Sequence, residues 1–251
     1  MSQHPTSART NQDEATIGRP LPAQHPRVAI VTGASRGLGL ALTLGLVDDG
    51  WHVVADGRDG DALRRALDAL GDRVTAVSGD ITDPGHRGEL VAEARRHGRV
   101  ALIVNNAGGL GPSPLPELAS LDLTALADLF ATNVVAPLGL IQAALPHLAA
   151  DAVIVNITSD ASVEAYEGWG AYGATKAALD HVGAVLAVEH PEVRVLTVDP
   201  GDMNTQMHQD AFPGEDISDR PPPSASVPGL LALIDGTDPS GRYRAREVVP
   251  A

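Results

Sequence analysis

Val28-Ala29-Ile30-Val31-Thr32 runs without a break into Gly33-Ala34-Ser35-Arg36-Gly37-Leu38-Gly39. The first five residues form an apolar, β-branched run of strand length. The next seven space their glycines G-x-x-x-G-x-G, and a helical pattern starts on them, over Gly37–Asp49. Glycines permit a tight strand-to-helix turn and the close approach of a pyrophosphate. The helix start offers unpaired N–H groups and positive potential to an anion. A glycine-rich turn also serves as an ordinary strand-to-helix connection. Its place, at the first strand and first helix start of the repeating pattern, is where a dinucleotide phosphate site belongs.

Outward from this turn the chain alternates short β-branched runs with longer Ala/Leu stretches. Strands are expected at Val28–Thr32, His52–Asp56, Val74–Ser78, Ala101–Asn105, Ala152–Thr158 and Val193–Val198. Helices are expected at Gly37–Asp49, Asp61–Leu70, Pro84–His97, Leu121–Asn133, Pro137–Leu148 and Ala171–His190. This order predicts an α/β fold, a Rossmann-like doubly wound parallel sheet with helices on both faces. Residues 27–251 read as a single domain. After Asp199 the rhythm breaks, and about 201–226, with Pro221-Pro222-Pro223, reads as an irregular loop. A short helix, Val227–Ile234, and a last strand, Tyr243–Val249, are expected beyond it. Residues 1–26 lack an apolar core and any secretory pattern, and are expected to be a disordered tail.

The 251 residues are 43% hydrophobic but only 3% aromatic, so the core must be built from Ala, Val, Leu and Ile. With no cysteine, disulfides, thiolate metal sites and a Cys nucleophile are excluded, which fits a cytoplasmic protein. A formal net charge of -14 argues against a nucleic-acid partner. It also means that a phosphate-bearing ligand must be held by local cations. No stretch reads as long and apolar enough to span a membrane. No histidine pattern has zinc-site spacing, and the nine histidines read as structural or exposed.

Tyr172-Gly173-Ala174-Thr175-Lys176 opens a long helical segment, and its Tyr and Lys, four apart, share one face. An ammonium beside a phenol favours the phenolate and should lower the tyrosine's pKa toward working pH. Such a spacing is common on amphipathic helix surfaces. Ser159 weighs against that reading: it lies thirteen residues earlier, at the carboxyl end of an expected strand, where parallel sheets bind ligands. Its hydroxyl suits hydrogen bonding to a substrate oxygen. Thr158 beside it should point the opposite way.

These motifs, with Asn105-Asn106-Ala107-Gly108 after the fourth strand, resemble the short-chain dehydrogenase/reductase family, and the resemblance runs in order from residue 28 to about 205. It implies an NADP(H)-dependent oxidoreductase moving a hydride between nicotinamide C4 and a carbonyl or alcohol carbon. Tyr172 would be its acid/base, with Ser159, Lys176 and Asn133 completing the catalytic set. The cofactor would lie on Gly33, Ser35, Arg36, Gly37, Leu38 and Gly39, on the pair Asp80-Ile81, and on Asn106, Ala107 and Gly108. Tyr172, Lys176, Pro200, Gly201 and Thr205 would hold its nicotinamide end.

The cofactor's phosphate is decided near Val53-Val54-Ala55-Asp56-Gly57-Arg58. An acid there hydrogen-bonds a ribose 2′-OH; an arginine accepts a 2′-phosphate. Both are present. The resemblance matches Gly57 to the NAD-selecting acid and Arg58, with Arg36, to the phosphate-binding cations, which implies NADP(H). Asp56 keeps NAD(H) open, since a one-residue shift would turn it toward the ribose. Trp169, Met203, Met207 and Phe212 either line a substrate pocket or pack a plain surface loop. The small-molecule partner implied is a carbonyl or alcohol compound, and the resemblance implies a homodimer or homotetramer. Other readings are an epimerase or dehydratase using transient hydride transfer, and a non-catalytic cofactor-binding sensor.

Overall fold

The computed structural model describes residues 27–248; the expected N-terminal tail and Val249 lie outside them. The chain runs β1 (Val28–Val31), α1 (Gly37–Asp48), β2 (His52–Gly57), α2 (Gly60–Leu67), β3 (Val74–Ser78), α3 (Pro84–His97) and β4 (Val100–Asn105). It continues with α4 (Leu123–Phe130), α5 (Ala136–Ala144), β5 (Leu148–Ile157), α6 (Gly170–Glu189), β6 (Arg194–Asp199), α7 (Gln206–Ala211), α8 (Val227–Asp235) and β7 (Gly241–Arg244). The seven strands form one parallel sheet in the order β3-β2-β1-β4-β5-β6-β7. The direction of progression reverses between β1 and β4, and ligands bind at such a switch point.

The strands are apolar runs because both faces are covered. Side chains alternate across the sheet. Ala29 and Val31 join Leu42, Leu46 and Leu230, from α1 and α8, on one face. Val28 and Ile30 join Leu90, Leu140 and Leu186, from α3, α5 and α6, on the other. These fully or nearly fully buried side chains are almost all aliphatic.

Three regions differ most from expectation, beyond shifted ends such as that of β5, which begins at Leu148 rather than Ala152. The helices expected at Leu121–Asn133 and Pro137–Leu148 are one continuous rod, because Ala131–Val135 is a π-turn joining α4 to α5. Pro137 brings no N–H for the carbonyl four residues back, that of Asn133. The chain widens instead, and Ala136 N–H bonds Ala131 O, five residues away. The joined helix, Leu123–His147, has 25 residues and an apolar window of mean hydropathy 1.5. It is long and apolar enough to cross a membrane by length and composition, contrary to the reading of two shorter segments. About a third of that window is buried inside the protein. Secondly, the loop expected at 201–226 contains α7, started by Thr205 Oγ1 accepting from His208 N–H at 3.2 Å. Thirdly, the last strand begins two residues early and ends at Arg244, where a 3-10 turn, Ala245–Glu247, replaces the strand expected through Val249.

Candidate active site

The phosphate turn is built as its glycines demand. Gly33 has φ +68° and Gly37 φ +59°, conformations that L side chains rarely adopt. A Cβ at Gly39 would come 2.3 Å from Gly33 O, so the turn closes only around hydrogen. Thr32 Oγ1 accepts from the N–H groups of Asn106 and Ala107, both at 3.0 Å. Asn106 Nδ2 donates back to Thr32 O at 2.8 Å and to Gly33 O at 3.2 Å. The turn after β4 thus clamps the turn after β1. No side chain caps the N-terminus of α1, and no acid stands in its first turn. Its leading amides face a cleft of about 1280 Å³ without a side-chain partner.

That cleft runs along the carboxyl edge of the sheet. At one end lie Ser35, Arg36, Gly37, Leu38, Arg58, Asp80 and Ile81. Arg36 and Arg58 are exposed, and neither takes part in an ion pair among the described residues. Asp80 Oδ1 accepts from Thr82 N–H and Oγ1–H at 2.9 and 2.8 Å, bonds that hold its carboxyl below the usual range. Asp56 also lines the cleft. It is buried, and its Oδ1 meets His86 Nε2 at 2.7 Å. An uncapped helix start, two free guanidiniums and a cleft this long fit a dinucleotide carrying an extra phosphate.

Further along lie Ser159, Tyr172, Lys176, Pro200 and Gly201, with Asn106, Ala107 and Gly108 also in the lining; Thr205 lines it beside Gly37, where a Cβ would come 3.8 Å from Thr205 Cγ2. Tyr172 and Lys176 are both buried on α6, and Lys176 Nζ lies 5.4 Å from the centre of the Tyr172 ring. It donates to Ile157 O at 2.8 Å. Asn133 sits in the π-turn, where its Oδ1 accepts from Gly109 N–H at 2.8 Å. Its Nδ2 donates to Gly109 O at 3.0 Å and to Thr175 Oγ1 at 2.9 Å. Asn133 therefore ties α4 and α5 to the strand-end turn and to α6. A Cβ on Gly108 would stand 3.2 Å from Asn133 Oδ1 and 3.7 Å from Lys176 Nζ.

The electrostatics differ from expectation in one respect. The lysine was expected to lower the tyrosine's pKa; instead the Tyr172 hydroxyl lies well above its ordinary value. Burial is the main cause, followed by the negative charges of Asp199 and Asp160, against a lowering hydrogen bond with Ser159. Burial also pushes Lys176 down to about 8, opposed by Asp180. Asp160 was not foreseen at all. Ser159 Oγ donates to Asp160 Oδ1 at 2.9 Å, so its proton is engaged by a carboxylate in the cleft lining. Tyr166, also unforeseen, donates to Asp160 Oδ2 at 3.1 Å and to Glu164 at 2.8 Å. A carboxylate directly after the serine was the available signal.

All four expected pocket residues line the cleft. Trp169 stands edge-on to Tyr172, centroids 5.7 Å apart, and 6.0 Å from Phe212. Trp169 and Phe212 pack on the small apolar cluster that includes Tyr172 and Leu129. Met203 packs partly against the main core, and Met207 is exposed. α7 carries Met207 over this end of the cleft, along with His208, whose ring lies 5.0 Å from Phe212.

Comparison with known proteins gives a consistent answer. Residues 27–216 match the profile of the short chain dehydrogenase family. A benzil reductase ((S)-benzoin forming) of Saccharomyces cerevisiae is 36% identical over 195 residues, covering 73% of this chain and 74% of the relative. Sepiapterin reductase of Rattus norvegicus is 35% identical over 199 residues, covering 72% of this chain and 76% of the relative. A solved short chain dehydrogenase from Shigella flexneri, complexed with NADP, superposes with a TM-score of 0.82 at 26% identity, covering 88% of this chain and 97% of its own.

Proposed function

Because the chain belongs to the short-chain dehydrogenase family of oxidoreductases, we propose that it is an NADP(H)-dependent carbonyl reductase or alcohol dehydrogenase acting on a small molecule. One observation carries the reading. A single cleft joins an uncapped, glycine-rich helix start beside Arg36 and Arg58 to the cluster of Ser159, Tyr172 and Lys176. Two relatives named as reductases and a neighbour complexed with NADP support it.

A nicotinamide cofactor bound along the cleft supplies the hydride. The chain's own groups manage position and protons. Gly33 to Gly39 and the α1 amides would hold the pyrophosphate, and the two guanidiniums would hold the 2′-phosphate. Asp80 and Ile81 would meet the adenine; Pro200, Gly201 and Thr205 would orient the nicotinamide end. Tyr172 Oη gives its proton to the substrate oxygen on reduction and takes it back on oxidation. Its raised pKa keeps that proton in place at neutrality. Lys176 stands behind it, with Asn133 and its Gly109 turn fixing the far side. Ser159 must turn its O–H from Asp160 to reach the substrate oxygen. Trp169, Phe212, Met203 and Met207 enclose an apolar substrate.

The test is a titration of the purified protein with NADPH and NADH, repeated with Arg58→Ala. A charge-assisted hydrogen bond contributes about 1.5–3 kcal/mol. NADPH affinity should therefore fall roughly 10- to 100-fold in the variant while NADH affinity stays unchanged. Tighter binding of NADH by the natural protein would overturn the cofactor reading; binding of neither would overturn the oxidoreductase reading of this cleft.

A further inference from the structure

Beneath the Arg58 end of the cleft lies a buried pair that the reaction scheme does not use. Asp56, on β2, and His86, on α3, have side chains only 3% and 4% exposed. His86 Nε2 lies 2.7 Å from Asp56 Oδ1. The other oxygen, Oδ2, accepts from the N–H of Gly33, first glycine of the phosphate turn, at 3.3 Å. Asp56 O accepts from Ala34 N–H at 2.7 Å, so its backbone also braces the turn. The pair has room because residue 79 is glycine. A Cβ there would stand 2.2 Å from His86 Nδ1 and 2.6 Å from two ring carbons. Gly79, Asp56 and His86, on three separate segments, thus form one arrangement.

We propose that His86 is a positioning residue for cofactor choice: it ties down the Asp56 carboxylate and so withholds it from the adenosine ribose. The proposal rests on the NADP(H) reading above. Asp56 stands two residues before Arg58 and lines the same cleft. A carboxylate free to turn toward the ribose would accept from a 2′-OH and repel a 2′-phosphate. Two donors hold it elsewhere. If His86 is removed, one amide at 3.3 Å is left to satisfy a buried carboxylate, and turning toward the cleft restores its solvation. Burial already pushes the Asp56 carboxyl up, against the bonds from His86 and Gly33 that pull it down. The charged groups near the pair are Asp80, whose charge raises the Asp56 carboxyl and whose own carboxyl is lowered in part by His86, and Glu89, 3.9 Å from His86 Nδ1.

Dissociation constants for NADPH and NADH, measured on the cofactor-free protein, give the test. The variants are His86→Leu, His86→Gln, Gly79→Ala, and His86→Leu combined with Asp56→Asn. His86→Leu should shift the NADPH-to-NADH affinity ratio at least tenfold toward NADH. Gly79→Ala should do the same, since its methyl group displaces the imidazole without substituting any cleft-lining residue. His86→Gln, which keeps a donor, should restore part of the ratio. Asp56→Asn in the His86→Leu background should restore most of it, because the charge is the agent. Equal weakening of both cofactors in the folded single variants, with no recovery in the double variant, would reduce the pair to a structural brace and overturn the inference. It would leave the NADP(H) reading standing if the natural protein still prefers NADPH. Preference of the natural protein for NADH would overturn both. If His86→Leu does not fold, the ratio in His86→Gln and Gly79→Ala decides.

Discussion

Tyr172 is the residue on which the proposed chemistry turns, and its surroundings set the pH at which it holds a proton. Asp160 raises the Tyr172 pKa through its charge. Asp160→Asn removes that charge while keeping an oxygen that accepts from the Ser159 hydroxyl. The alkaline limb of the reduction rate against pH should therefore move to lower pH, which a pH series of kcat would check; an upward move would contradict the assignment. Lys176 has the opposite problem, a cation held at about 8 by burial. Below pH 8 both folded and unfolded chains carry its proton, and the burial penalty acts in full. Between pH 8 and about 10.4 the unfolded chain binds more protons, so stability rises with pH. Lys176→Met abolishes this term. Between pH 7 and 9.5 the natural protein should gain on the order of 2 kcal/mol relative to the variant, read from denaturant unfolding at both pH values. Both residues and their spacing are legible in the sequence. Their pKa directions are not, because burial and the neighbouring Asp199 and Asp160 depend on β6 and a short turn coming together with α6.

Among the elements, the π-turn at Ala131–Val135 matters most to the site. Its single buried polar side chain, Asn133, makes three hydrogen bonds to Gly109 and Thr175. Asn133→Ala leaves the half-buried amide and carbonyl of Gly109 and the buried Thr175 hydroxyl without this partner. The cost should be about 1–3 kcal/mol, seen as a lower urea midpoint. The strands and first helices were readable in sequence because an unbroken apolar run and a helical repeat differ in period. The α4–α5 junction was not. Asn133 and Pro137 look like the end of one helix and the start of the next, and the widened turn that reconciles them is a backbone response to a missing N–H. α7 was missed for a similar reason: six residues bearing His, Gln and Asp carry too little periodicity to be told from a loop.

At the scale of the molecule, apolar side chains stay exposed on α4, on the π-turn and on α6. Leu123 is 74% exposed, Val135 59% and Val188 81%. Large apolar side chains left in water on neighbouring helices mark association surfaces. Sedimentation should find a dimer or a tetramer, and Val135→Asp with Val188→Asp should shift the population toward a smaller species; a monomeric natural protein would contradict this expectation. The amino-acid sequence by itself determined the alternation of strand and helix, the phosphate turn, and the residues Ser159, Tyr172 and Lys176, because these are written in local period and short-range spacing. Only the tertiary structure decided what each of them faces. Asp56 was ambiguous in the sequence; the fold seats its carboxylate against a histidine thirty residues away, beside a glycine that leaves the histidine room. Ser159 read as free to meet a substrate, and it is found bonded to Asp160. A side chain's partners come from segments distant in the chain, and packing alone brings those segments within hydrogen-bonding reach.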